Sequence, residues 1–173
     1  MHENPWWKVF FDEVVLPNGS KGRHLRLVPA ASQPGVVILA VRNGAKEPEI
    51  AFVKQNRYAV DALMLELPRG FAEPEDTNPS MSASREFAEE TGLTASCVTV
   101  LGEVRPDSAI IASHAVVCLV EPDAAAQEMS RDGEVFDVFW VKASVVRSMV
   151  ASGQITDGFS LAALAYWWAS SKP

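Results

Sequence analysis

Cysteine is nearly absent from this chain. Cys97 and Cys118 are the two in 173 residues, with no CxxC pair and no neighbouring histidine pair. That scarcity excludes a disulfide scaffold and leaves a zinc site unsupported. Cys118 lies in the apolar run AVVCLV and reads as a buried strand thiol, with a single disulfide as the alternative. Long hydrophobic runs are missing too: none approaches the ~18 apolar residues that a membrane-spanning helix needs. The segment MHENPWWKVFFDEVV has acids and a proline where a signal peptide has a basic and then an apolar stretch. A cytoplasmic protein with no membrane partner is expected. His2, His24 and His114 show no spacing to a nucleophile or metal set, so each reads as structural or exposed. Basic residues are in deficit, 15 against 22 acids, for a formal net charge of -7. That balance argues against a nucleic-acid surface working by phosphate neutralisation. The surplus acid means either solubility or a cation site.

What is present is ordinary for a folded chain: 48% hydrophobic and 21% charged residues. The length suits one domain with a small appendage and buries roughly 70% of the unfolded surface. Residues 1–30 read as an N-terminal β-hairpin, WWKVFFDEVVL and HLRLVP about the turn Pro17-Asn18-Gly19-Ser20. Ala30 to Pro34 reads as a linker into the main domain, 31–173. There GVVILAVRN ends at an Asn43-Gly44 turn signal, EIAFVKQNRY follows, and MLELP stops at Pro68. Gly70 to Pro79 reads as loop, and Ser80 to Thr91 as a helix with a serine N-cap and Gly92 as its stop. SCVTVLGEV, SHAVVCLVEP and VFDVFWV are further strands. Ser144–Ser152 and Gly158–Ser170 read as helices, the last with Leu161, Leu164, Ala165 and Trp168 as core residues. This order predicts an α/β or α+β sandwich on a mixed sheet.

The helix SMSASREFAEETG carries the strongest chemical signal. At 100° per residue from Arg85, Glu89 falls at about 40°, Glu86 at about 100° and Glu90 at about 140°. Ala83, Phe87, Thr91, Ser84 and Ala88 occupy the other face. The arrangement is poor for stability. Glu86 makes like-charge pairs with Glu89 and Glu90, each costing ~0.2–0.5 kcal/mol. Glu89 and Glu90 also sit at the negative end of the helix dipole, where cations are favoured by ~0.3–1 kcal/mol. A divalent cation with hard oxygen ligands reverses both penalties. Taken alone, the face is either such a site or a solvated acidic surface.

The surrounding segment ELPRGFAEPEDTNPSMSASREFAEETGL resembles the Nudix box, G-x5-E-x7-R-E-U-x-E-E-x-G-U, where U is aliphatic or aromatic. Gly70, Arg85, Glu86, Phe87, Glu89, Glu90, Gly92 and Leu93 match. Asp76 stands at the first glutamate position, and eight residues, not seven, separate it from Arg85. The box spans 24 of the 173 residues. The resemblance implies a Nudix-type α/β/α sandwich with a mixed sheet plus the N-terminal hairpin. It also implies hydrolysis of a nucleoside diphosphate linked to another moiety, with Mg²⁺ or Mn²⁺. By resemblance Glu86 and Glu90 are metal ligands, Glu89 is a further ligand or holds water, and the Arg69 carbonyl faces the metal. Arg85 holds a helix glutamate, as an i,i+4 pair with Glu89 also allows.

Flanking features resemble the ADP-ribose pyrophosphatase branch. KQNRY resembles its Q-x-R-Y strand and implies that Arg57 contacts substrate, a surface strand charge being the alternative. ELPRG resembles ELPAG, which implies that Glu66 stands beside the metal and the substrate. SRDGEVFDVFWV implies Glu134 as the catalytic loop glutamate, with Glu128 second. The hairpin resembles strands that exchange between subunits, which implies a homodimer, and GQITDGFSLAALAYW resembles the final helix. Trp6, Trp7 and Phe10 either stack on adenine or fill a hairpin or dimer core. The loop RPDSAI departs from the branch's usual P-x-P-G-like loop. The implied reaction is hydrolysis of ADP-ribose to AMP and ribose 5-phosphate. The alternatives are another nucleotide substrate (a GDP-sugar, a dinucleotide or a nucleoside triphosphate) or a non-catalytic ADP-ribose-binding module.

Overall fold

The computed structural model describes residues 2–124 and 137–170. Among the described residues the strands form two sheets. The smaller is the N-terminal hairpin with one addition. Strands β2 (Trp7–Val15) and β3 (Lys21–Pro29) pair antiparallel along their whole length, and a two-residue strand β1 (His2–Glu3) joins β2 at Lys8 and Val9. Gly19 closes the turn at φ 81°, a conformation that side-chain-bearing residues resist. This sheet meets the rest of the chain through Leu27, whose N–H donates to Ile110 O and whose carbonyl accepts from Ala112 N.

The larger sheet has seven strands. They are β4 (Gly35–Asn43), β5 (Pro48–Arg57), β6 (Ala62–Glu66), β7 (Arg69–Gly70), β8 (Ala95–Val104), β9 (Ala115–Pro122) and β10 (Asp137–Lys142). The path runs β10-β5-β4-β9-β8, with β4 and β9 parallel and the other pairs antiparallel. Its centre is split. β4 pairs with β5 only over Val41–Asn43, while at its other end Val36 and Val37 pair with Gly70 and Arg69. β5 meanwhile pairs with β6 over Val53–Arg57. The chain from β6 to β7 therefore runs through the gap, and residues 66–70 stand at the centre of the sheet.

Strand periodicity assigns the two faces. Val37 and Leu39 of β4 join Ile50, Phe52 and Val117 in a core packed against helices α2 (Ala143–Ala151) and α3 (Gly158–Ser170). Val36, Ile38 and Ala40 point the other way and pack with Ala83 and Phe87 of helix α1 (Pro79–Thr91). The expected α/β/α sandwich with a mixed sheet is what is found. Cys118 belongs to the α1-side core, and its thiol is pushed up to about 11 by burial. Cys97 is exposed, and both cysteines are free.

Two local readings need correction. The α1 cap is Asn78, not a serine: its side chain accepts from Met81 N, and Pro79 opens the helix, where its missing N–H costs nothing. In α3 the buried alanine is Ala163, while Ala165 is exposed. The helix is apolar on nearly all sides, so spacing alone does not select its inner face. Gly92 ends α1 at φ 74° as expected, with its N–H on Ala88 O. Among the described residues no helix is long and apolar enough to cross a membrane.

Candidate active site

The split in the sheet opens beside the acidic face of α1. A cavity of about 500 Å³ lies there, lined by Glu86 and Glu90 from α1, Arg69 and Gly70 from β7, and Arg57 and Gln55 from β5. Trp7, Phe71, His114 and Phe159 contribute to its walls. Residues more than 30 positions apart in sequence thus meet in one space, and four of the expected site residues are among them.

Gly70 fixes the geometry at the acidic end of the cavity. A Cβ built at this position would collide with the carboxylate of Glu86. Only glycine lets that carboxylate lie against the β7 backbone. Burial pushes the Glu86 carboxyl above its ordinary value, and the Arg85 guanidinium pulls it back only in part. Glu90, one turn further along, is 5% exposed. The donors gathered here are carboxylate and peptide oxygens, the chemistry that Mg²⁺ and Mn²⁺ take. A buried, raised carboxylate is also one that a cation relieves. The residues therefore fit a hard divalent cation, which Glu86 and Glu90 would hold beside the β7 main chain. Among the described residues no group of three or more His, Cys, Asp or Glu side chains forms a metal cluster. Glu128 and Glu134 lie outside the described residues.

Arg85 organises the helix face. Its Nη1 donates to Glu86 Oε1 (3.0 Å) and Glu89 Oε2 (2.9 Å), and its Nη2 to Asp76 Oδ2 and to Phe71 O (2.9 and 2.8 Å). Glu73 stands 3.8 Å from its Nε. Arg85 thus ties the helix to the 71–76 loop. Asp76, the departure from the box pattern, is buried at 5% exposure and also accepts from Glu73 N. Burial alone would raise Asp76, but the hydrogen bonds from Arg85 and the loop hold it below its usual range. Despite the extra residue between them, the shorter acid still reaches the guanidinium. Glu89 is more open, with 42% of its side chain exposed.

Glu66 is placed differently from its neighbours. It is fully buried and turned to two arginines. Arg57 donates from Nε to both carboxylate oxygens (3.0 and 3.1 Å) and from Nη2 to Oε2 (2.6 Å). Arg69 donates from Nε and Nη2 to Oε2 (3.1 and 3.0 Å). Glu66 therefore stands behind the arginines that line the cavity. Burial opposes the charge on Arg57, but its bonds to Glu66 and the nearby Glu90 and Asp157 charges raise it overall.

Sequence reasoning passed over Asp157 and Ser160. Asp157 Oδ2 accepts from Ser160 N and Oγ (2.8 and 2.7 Å), and Ser160 Oγ accepts from Leu67 N (2.9 Å). Asp157 thus caps α3 and also stands 3.6 Å from Arg69 Nη2. The aspartate just before a predicted helix was a visible cap signal; its reach to Arg69 was not visible. His114, read as structural or exposed, lines the cavity. Trp7 lines it too, whereas Trp6 is 66% exposed and Phe10 is covered by the Arg26 guanidinium.

Comparison with known proteins finds a relative in sequence and a shared fold. The ADP-ribose pyrophosphatase of Bacillus subtilis (strain 168) is 27% identical over 161 residues, covering 91% of this chain and 83% of that protein. A solved structure described as "Crystal structure of ADP compounds hydrolase" superposes with a TM-score of 0.80 at 13% identity, over 98% of this chain and 88% of the other. That second likeness is one of fold. Residues 31–156 match the NUDIX domain, a span that holds the split sheet, the 70–76 loop and all of α1. On that match the chain belongs to the NUDIX family, and it is a Nudix hydrolase.

Proposed function

We propose that the protein hydrolyses the pyrophosphate bond of a nucleoside diphosphate sugar, ADP-ribose to AMP and ribose 5-phosphate, with Mg²⁺ or Mn²⁺ bound. The observation that carries this reading is the Glu86 carboxylate laid against Gly70, beside buried Glu90, in a cavity that also holds Arg57 and Arg69. The acids suit a cation and the guanidiniums suit phosphoryl oxygens. The name of the Bacillus relative supports the choice of ADP-ribose. When bound, a divalent cation neutralises phosphate oxygens and lowers the pKa of water. The residues do the rest. Glu86 and Glu90 hold the cation, with the Arg69 carbonyl beside them. Glu89 assists at the open edge. Arg85 keeps Glu86 and Glu89 from recoiling from each other. Arg57 holds a phosphoryl oxygen, and Glu66 holds Arg57. Glu134 takes the proton of the attacking water.

Residues 1–30 act as a separate β unit in this reading, and 31–173 as the hydrolase domain. Trp6, Phe11 and Val15 of the hairpin are largely exposed, which supports a homodimer built on that sheet. Sedimentation at micromolar concentration checks it, and a monomer there removes the dimer.

The central test incubates the protein with Mg²⁺ and a panel of ADP-ribose, GDP-sugars, dinucleotides and nucleoside triphosphates, following release of nucleoside monophosphate. ADP-ribose is expected to be cleaved fastest. No turnover of any compound removes the catalytic reading. Glu134→Gln is expected to slow turnover while leaving Mg²⁺ binding intact, and an unchanged rate transfers the role to Glu128.

A further inference from the structure

The arginine in ELPRG occupies a place where the resembling pattern, ELPAG, has alanine. Neutralising buried Glu66 does not require it. Arg57 already makes three hydrogen bonds to that carboxylate, the shortest 2.6 Å. Arg69 brings a second guanidinium to the same acid, seats it 4.8 Å from the Phe159 ring centre, and faces Asp157 across 3.6 Å. Ordering an arginine side chain costs rotamer freedom, so a redundant one is not free. The contacts to Glu66 use Nε and Nη2 of each arginine, and Nη1 of each makes no hydrogen bond among the described residues. Both side chains keep about a quarter of their surface, 28% and 24%, and both line the cavity.

We propose that Arg69 is a specificity-determining residue that, with Arg57, forms a two-guanidinium clamp for a nucleoside diphosphate, Arg57 taking one phosphoryl group and Arg69 the second. This rests on the proposed function and deepens it. One guanidinium serves one phosphoryl group; two, held side by side by a shared carboxylate, match the paired charges of a diphosphate. Glu66 sets their spacing. Asp157 is a positioning residue acting through Arg69, and it is itself held by its place at the start of α3. The orientation is therefore set before the ligand arrives, which reduces the ordering cost of binding.

The test is calorimetric binding of ADP and of AMP to the full chain in EDTA, so that no metal contributes. Wild-type protein is expected to bind ADP at least ~10-fold more tightly than AMP, the size of one charge-assisted contact. Arg69→Ala is expected to shrink that preference to about twofold or less. Thermal unfolding is followed in parallel. Should Arg69→Ala fail to fold, Arg69→Gln, which keeps the stem over Phe159, carries the same comparison. Asp157→Asn keeps a good helix cap and removes the charge. It is expected to lower the preference a few-fold in the wild-type background and not at all in the Arg69→Ala background. A purely structural Arg69 would shift melting and leave the ADP-to-AMP ratio alone. A ratio unchanged in Arg69→Ala, or a wild-type protein that binds both alike or neither, overturns the clamp. Loss of the preference in a protein that cleaves nothing leaves the clamp standing and removes the enzymatic reading. Normal turnover with an unaltered preference removes the clamp alone.

Discussion

Two ion networks flank the cavity with opposite stoichiometry. On α1 a single guanidinium, Arg85, is shared by four carboxylates, those of Glu73, Asp76, Glu86 and Glu89. At the split in the sheet a single carboxylate, Glu66, is shared by two guanidiniums, Arg57 and Arg69. The first network has too little positive charge for its acids and is suited to a cation. The second, with Asp157 at its edge, matches its two guanidiniums with two acids, and both guanidiniums keep exposed surface toward the cavity, where an anion is suited. A cation suits the acid-rich side, and phosphoryl oxygens suit the exposed edges of the two arginines. The two differ in redundancy as well. Arg85 loses one of several partners when a single acid is removed, whereas Glu66 is the shared partner of both arginines.

The largest expected effect breaks the acid-rich side at its deepest point. Glu90→Gln removes a proposed cation ligand without changing size, so kcat should fall ~10³-fold, about 4 kcal/mol of barrier, with the fold intact. Near-parental turnover of ADP-ribose would take Glu90 out of the metal assignment. Next comes the base-rich side. Glu66→Ala leaves two guanidiniums facing each other over an empty place. Breaking a buried pair costs 3–5 kcal/mol, and the lower end applies because both arginines keep some water. A loss of about 3 kcal/mol, or roughly 6–12 °C in Tm for a chain of this length, is expected by thermal unfolding. A drop under 2 °C would mean that the arginines simply swing into solvent.

The third effect sharpens the contrast. Mg²⁺ at ~100 times its Kd should stabilise the protein by about 2.7 kcal/mol, because it binds the folded acids and not the unfolded chain. EDTA should reverse the gain and Glu90→Gln should remove it, whereas Arg69→Gln should keep it. Equal Tm gains in all three proteins would show that the cation reads surface charge in general.

How much of this was open to sequence reasoning differs between the two networks. Arg85, Glu86, Glu89 and Glu90 share one helix, so their common face follows from 100° per residue, and Gly92 marks the end of that helix. Glu66, Arg69 and Asp157 are spread over three elements. Their meeting depends on the split between β4 and β5, which no local pattern encodes. The 157–160 cap was visible as Asp before a helix, yet its reach to Arg69 is a tertiary fact. Asn78 was missed as the α1 cap because the reading began the helix at Ser80, past a proline that in fact opens it. Ala163 was missed because α3 carries apolar residues on nearly every side.

The smallest expected effect tests whether the acid-rich network is redundant. Asp76 is held below its ordinary range, with burial opposing and the Arg85 hydrogen bond prevailing. A carboxyl lowered in the folded state stabilises fully above its unfolded value, about 3.9. That contribution is lost as pH falls through the lower folded value. Asp76→Asn should therefore flatten the stability profile below about pH 4, and it should cost little more than ~1 kcal/mol at neutral pH. The cost is small because Arg85 keeps Glu86, Glu89 and the Phe71 carbonyl. Urea unfolding in EDTA at pH 7 and pH 3 measures both. Asp76→Glu restores the residue of the box pattern, but the longer side chain must fit a buried place occupied by the shorter acid. It should recover the charge and not the packing, falling between Asn and wild type. If Asp76→Asn instead costs as much as Glu66→Ala, Arg85 depends on this one acid as the two arginines depend on Glu66, and the contrast between the networks fails.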